Sequence, residues 1–199
     1  MQTIAEKILG QAKTLPEGAL ISAKEFLHLG SRAAVDQALT RLEARNELMR
    51  LFRGLYVRPV KTRFGMRAPS AEKVVEGIAA SRAETVVAHG AAAANSLGLT
   101  TQVPTKLVYL TSGKSRRLTL GAQVVEMKHA PQWMLLPSQR AAGEAVRALA
   151  WIGQRGAPEA LETLKNKLPK ATVEELIALR PALPGWLSKS ISQTLVPHG

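Results

Sequence analysis

The chain has no cysteine, a single aspartate and few aromatic residues. Each shortage removes a class of chemistry. Without cysteine there is no disulfide, no thiolate nucleophile and no cysteine-based zinc site. Asp36 is the only aspartate among fifteen acidic residues. Phosphoryl transfer and metal-dependent hydrolysis hold their metal with closely spaced carboxylates, whereas the glutamates here are scattered along helical segments. No catalytic residue, metal site or cofactor is therefore expected, and the chain is not read as an enzyme. No stretch approaches the ~18 apolar residues of a membrane span. The first residues, MQTIAEKILGQAK, carry Glu6 and no long apolar run, so a secretory signal is not expected. A cytoplasmic location, with no membrane partner, is the expectation.

What the chain does have is positive charge and apolar bulk. Its 199 residues include 46% hydrophobic residues, enough for a packed core. Lys and Arg number 27, and the formal net charge is +12. Such a balance favours polyanionic partners, nucleic acid above all. The charge is densest at the front: residues 1–67 carry +6, residues 68–150 carry +4 and residues 151–199 carry +2.

Local signals organise the front segment. Thr3 and Glu6 have capping-box spacing ahead of a helix over Thr3 to Lys13. Leu20 and Ile21 predict a short strand. Ser22 with Glu25 predicts a second capped helix through Leu27, and Gly30 a turn. Ser31 caps a third helix that runs to Asn46, a residue able to end it in a left-handed conformation. Leu48–Phe52, Arg53-Gly54 and Leu55–Val57 read as strand, turn and strand, with Pro59 closing the hairpin. Two helices followed by a basic hairpin predict a winged helix-turn-helix over 1–67, with the boundary at Pro69. Residues 68–199 predict a mixed domain: a helix over 71–80, a strand or capping turn at 85–87, a short helix over 91–97, strands at 107–111, 116–120 and 124–129, and helices from Ser138 onward. There Pro158 suits a first helical position and Thr172 with Glu175 forms a third capping-box pair. The predicted fold class is α+β.

In the helix after Gly30, Val35, Ala38, Leu39 and Leu42 have core spacing. The other stripe holds Ala33, Gln37, Thr40, Arg41 and Ala44, flanked by Arg32 and Arg45. Small residues permit close approach to a groove. Gln37 can read adenine and Arg41 guanine through paired hydrogen bonds, and Ser31 with the helix start can hold a phosphate. Arg50, Arg53 and Arg58 can follow phosphates from the hairpin. Tyr56 either donates its hydroxyl to a phosphate or is a half-buried strand aromatic. Lys114, Arg116 and Arg117, at a hairpin in the second half, form either a second basic patch or a solvated turn.

Other signals fail. Ser112-Gly113-Lys114-Ser115 has the ending of a P-loop, but Val108 stands where the upstream glycine is needed. His89 and His129 lack ligand spacing, and Ser112 and Ser115 lack a paired His and Asp pattern. Trp133, Trp151 and Trp186 read as core or partner contacts.

Two stretches, SAKEFLHLGSRAAVDQALTRLEARNELMRLFRGLYVRP (22–59) and HGAAAANSLGLTTQVPTKLVYLTSGKSRRLTLGAQVVEMKHA (89–130), together resemble the AbiEi-type antitoxins of bacterial type IV toxin–antitoxin systems. The resemblance implies a repressor of its own operon whose front domain binds inverted repeats in double-stranded DNA. It also implies a C-terminal domain that counters a nucleotidyltransferase-like toxin without needing a stable complex. By that resemblance Ser31, Arg32, Gln37, Arg41, Arg50 and Arg53 fall on the recognition helix and wing. Inverted repeats imply two copies per operator, as a dimer or as monomers meeting on DNA. The alternatives are a plain winged-helix regulator with a ligand-sensing or dimerisation domain, and an enzyme that uses the front domain to dock on nucleic acid.

Overall fold

The computed structural model describes residues 2–196 and has an α+β fold. Helix α1 (Ile4–Thr14) begins at Thr3. The Thr3 hydroxyl accepts the Glu6 amide at 3.2 Å, and the Glu6 carboxylate accepts the Thr3 amide at 2.8 Å. Strand β1 (Leu20–Ser22) leads into a 3-10 helix (Ala23–Leu29). The expected reciprocal cap there is altered: the Ser22 hydroxyl accepts from Lys24 rather than from Glu25, and the segment winds with the tighter 3-10 pitch. Gly30 does not make a left-handed turn, since its backbone is extended; a Cβ at this position would lie 2.9 Å from Ile4 Cδ1. Close approach, not turn geometry, is what calls for glycine.

Helix α2 (Arg32–Ala44) is capped by Ser31, whose hydroxyl accepts the Ala34 amide at 3.3 Å. Asn46, at φ +56°, ends it as expected. Strands β2 (Met49–Phe52) and β3 (Leu55–Val57) follow, and the antiparallel sheet has the order β1-β3-β2. A bulge separates Arg50 from Phe52, after which Gly54 turns the chain at φ +77°. A second ribbon, β4 (Val60–Thr62) with β5 (Gly65–Arg67), comes next and has no counterpart in the sequence-based expectation. Helix α3 (Ala71–Arg82) then buries Val74, Val75 and Ile78.

The chain continues through β6 (Val86–Ala88), α4 (Gly90–Ser96), β7 (Leu107–Thr111), β8 (Arg116–Leu120) and β9 (Gln123–His129). β6 pairs antiparallel with β7, and β8 with β9 around Gly121 at φ +60°. Helices α5 (Gln132–Leu135), α6 (Ala141–Ile152), α7 (Ala157–Lys167), α8 (Lys170–Ala178) and α9 (Gly185–Leu195) complete it. The Thr172–Glu175 capping pair does not form. Helix α8 already starts after Pro169 without a side-chain cap, and the Glu175 carboxylate instead accepts from Arg140 at 2.8 Å.

Two compact units result: the chain up to Glu84 together with Arg116–Met127, and Thr85–Ser115 together with the chain from Lys128. The front unit is thus larger than residues 1–67, because α3 and the β8–β9 hairpin belong to it. The Pro69 segment that reads as a domain boundary is clamped. The Glu17 carboxylate accepts the Ser70 amide at 2.9 Å and an Arg67 N–H at 3.1 Å, and these bonds hold its carboxyl below the usual range. A Cβ on Gly77 would lie 2.4 Å from the Gly18 carbonyl oxygen, so α3 packs backbone to backbone on the turn at 16–19. The front core gathers Ile8, Phe26, Val35, Leu39, Leu42, Leu48 and Tyr56. In the second unit Val146, Leu149, Leu161, Leu164, Leu187 and Ile191 fill a core between α6, α7 and α9. Its α4 lies close on α6 through Ala93, Ala94 and Ala148.

Candidate nucleic-acid interface

Helix α2 divides along its length. Val35, Ala38, Leu39 and Leu42 are buried, as their spacing requires, so the facing stripe is left to solvent. Ser31, Arg32, Ala33, Gln37, Thr40, Arg41, Ala44 and Arg45 are all exposed. Arg32 Nε donates to Asp36 Oδ2 at 2.9 Å, an exposed pair of little worth in water. The Thr40 hydroxyl donates to the Asp36 carbonyl at 2.9 Å and also hydrogen-bonds with the Tyr56 side chain. Among the described residues no acid forms an ion pair with Arg41, Arg45, Arg50 or Arg53. Arg50, on β2, and Arg53, at the hairpin turn, are exposed as well.

Two of the expected contacts move elsewhere. Tyr56 is only 5% exposed and packs into the front core, and burial pushes its phenol above the usual value. Its strand is the middle one of three, so its ring is covered where an edge position would leave it half-open. Arg58 is half-buried, and its Nη2 donates to the Leu15 carbonyl at 3.5 Å, which ties it to the end of α1. Neither side chain is presented for a phosphate.

Of the three residues of the second basic patch, Lys114 and Arg117 are exposed and Arg116 is not. Arg116 forms a two-pronged ion pair with Glu84, its Nη1 3.0 Å from Oε1 and its Nη2 on Oε2. Both side chains are less than 15% exposed, at 14% and 13%, so this arginine is spent on structure. Its partner lies 32 residues away, beyond the reach of any local sequence signal. Arg117 stays exposed, with Glu126 at 3.3 Å.

The histidines and serines that tempt a chemical reading have local bonding roles. His89 Nδ1 accepts the Ala91 amide at 3.2 Å and caps α4. Burial, aided by the Lys128 charge, lowers its pKa. His129 Nδ1 lies 2.9 Å from the Gly113 carbonyl oxygen, and the Ser112 hydroxyl accepts the Thr85 amide at 3.0 Å. Trp133 and Trp186 pack at the rim of the helical core. Among the described residues no three His, Asp or Glu side chains group as metal ligands, and no helix is long and apolar enough to cross a membrane.

No curated protein matches this chain. Among solved structures, the RV2827C protein from Mycobacterium tuberculosis is similar in fold, with a TM-score of 0.53 and 18% identity over 98% of this chain and 77% of that one. A model of a family of unknown function, DUF6088, matches residues 7–176, and the chain belongs to that family.

Proposed function

We propose that the protein is a sequence-specific DNA-binding repressor, its front unit a winged helix-turn-helix with α2 as recognition helix and the β2–β3 hairpin as wing. One observation carries this reading. Arg41 in α2, Arg45 at its C-terminal cap, and Arg50 and Arg53 in the hairpin that follows are exposed and lack acidic partners among the described residues. Exposed cations next to small side chains, Ala33 and Ala44, suit a helix that must approach a groove closely. Gln37 and Arg41 then meet base edges. The Ser31 end of α2, Arg32, Arg45, Arg50 and Arg53 meet phosphates. Thr40 lies within the same exposed stripe.

The resemblance to AbiEi-type antitoxins supports a narrower version: repression of its own toxin–antitoxin operon from inverted repeats, in the cytoplasm, and relief of a nucleotidyltransferase-like toxin without a stable complex. A gel-shift titration of the protein against the DNA upstream of its own gene tests the reading. Saturable binding that survives excess unrelated duplex is expected, with two copies per operator. Equal affinity for operator and unrelated DNA would refute sequence-specific repression.

A further inference from the structure

The ribbon β4–β5 has almost no core of its own. All three β5 residues are exposed, Phe64 at its turn is 86% exposed and Met66 is 54% exposed. A two-stranded hairpin is marginal by itself in water, yet this one is held from both ends. At its base Arg67 bonds to Glu17 at 3.1 Å and to the Ala68 carbonyl at 2.8 Å. At its tip the Thr62 hydroxyl donates to the Gly65 carbonyl at 2.9 Å and accepts the Phe64 amide at 3.2 Å. Gly65, at φ +114°, takes the backbone conformation that glycine alone adopts easily. The turn is therefore fixed, and it keeps a large apolar ring in water. The Arg63 guanidinium lies over that ring, 4.6 Å from its centre. Neither Arg63 nor Lys61 forms an ion pair with an acid among the described residues.

The chemistry of the occupant follows from this combination. From Leu48 to Ala71 there is no acidic residue and there are six basic ones. A second copy of the same cationic tip is repelled. A surface that attracts cations and also buries a flat apolar ring is a duplex opened at a base step, where phosphates flank a stacking site. The ribbon begins three residues after β3 ends, so in the chain it follows directly on the hairpin assigned to phosphates.

We propose that the β4–β5 ribbon is a second DNA arm, in which Phe64 wedges between base pairs from the minor groove and bends the operator while Lys61 and Arg63 hold the flanking phosphates. This rests on the repressor reading and adds to it a deformation of the DNA. The full-length protein is tested on circularly permuted fragments carrying the region upstream of its gene, where gel mobility reports a bend and titration reports affinity. The wild type is expected to bend the fragment by tens of degrees, within the roughly 20–90° range of side-chain wedges. Phe64→Ala is expected to lose most of the bend and about tenfold in affinity, while Phe64→Leu, which keeps an apolar wedge, retains the bend. Unchanged thermal melting of both variants confirms that the exposed position does not disturb folding. If Phe64→Ala bends the operator as the wild type does, the wedge is refuted and the repressor stands, whether or not affinity falls. If the wild type binds the operator without bending it, the wedge is refuted in the same way. If the wild type binds no duplex at all, the repressor reading fails and the arm fails with it. Phe64-dependent binding to phosphatidylserine vesicles, with the DNA bend intact, would assign the tip to a membrane instead.

Discussion

Arg41 lies in the last turn of α2, exposed and without an acidic partner among the described residues. A cation there gains about 0.3–1 kcal/mol from the helix dipole, whereas a two-bond contact to guanine discriminates by about 1–3 kcal/mol. The binding effect of removing it should therefore exceed the folding effect. Arg41→Ala is expected to weaken operator binding by roughly ten- to a hundredfold while binding to unrelated duplex changes little; titrations of both DNAs at one salt concentration check this. An equal loss on both would make Arg41 a phosphate contact. His89 gives a pH dependence. Its folded-state pKa lies below the ordinary 6.5 because burial disfavours the charged ring. The unfolded chain then binds the proton more readily than the folded one, so stability is full above 6.5 and declines as pH falls toward the lowered native value. Protonation at Nδ1 would also remove the acceptor that caps α4. His89→Ala is expected to cost about 1 kcal/mol at neutral pH, as other side-chain caps do, and to flatten the decline in acid. Urea unfolding at a series of pH values measures both, and an unaltered acid slope would assign the decline to other groups.

At the scale of elements, the β2–β3 hairpin carries two arginines without an acidic partner among the described residues, and its proposed role is readable in salt. Each neutralised phosphate contributes close to one unit to the slope of log affinity against log salt. Arg50→Ala with Arg53→Ala is expected to weaken binding to all duplexes and to reduce that slope by about two; a slope equal to that of the wild type would remove the hairpin from the contact. The elements whose signals are local were legible in the sequence. Thr3 with Glu6, Ser31 and Asn46 mark the ends of α1 and α2 where the structure has them, and apolar spacing gave the buried face of α2. Elements governed by distant partners were not. Glu175 looks like a capping residue but bonds to Arg140, 35 positions away. Arg116 looks like a free cation but is held by Glu84. The β4–β5 ribbon has neither alternating apolar residues nor a paired turn signal, and it is held by Glu17, 50 positions before Arg67. The exposed arginines of the candidate interface were legible because one helix and one hairpin present them. Tyr56 was not, because burial of a strand residue depends on which strands flank it.

For the whole molecule, the larger difference between sequence and structure lies in where one unit gives way to the other. Composition placed the division at Pro69, a residue that often separates domains, but Glu17 and Gly18 draw the chain after it back onto the front unit. Later in the chain, residues 116–127 rejoin that unit. Leu118, Leu120, Val125 and Met127 are all buried there, so the hairpin supplies apolar bulk as well as the arginine that neutralises Glu84. The polypeptide consequently crosses between its halves three times, after Glu84, Ser115 and Met127. No single cut can release either half whole. A shortened chain ending between Glu84 and Arg116 keeps α2 and its arginines yet strips the front half of its last two strands, and a failure of such a piece to hold DNA would report an incomplete fold rather than a missing contact. Dissection of the two halves must therefore proceed by point substitution, or by rejoining 84 to 116 through a short linker.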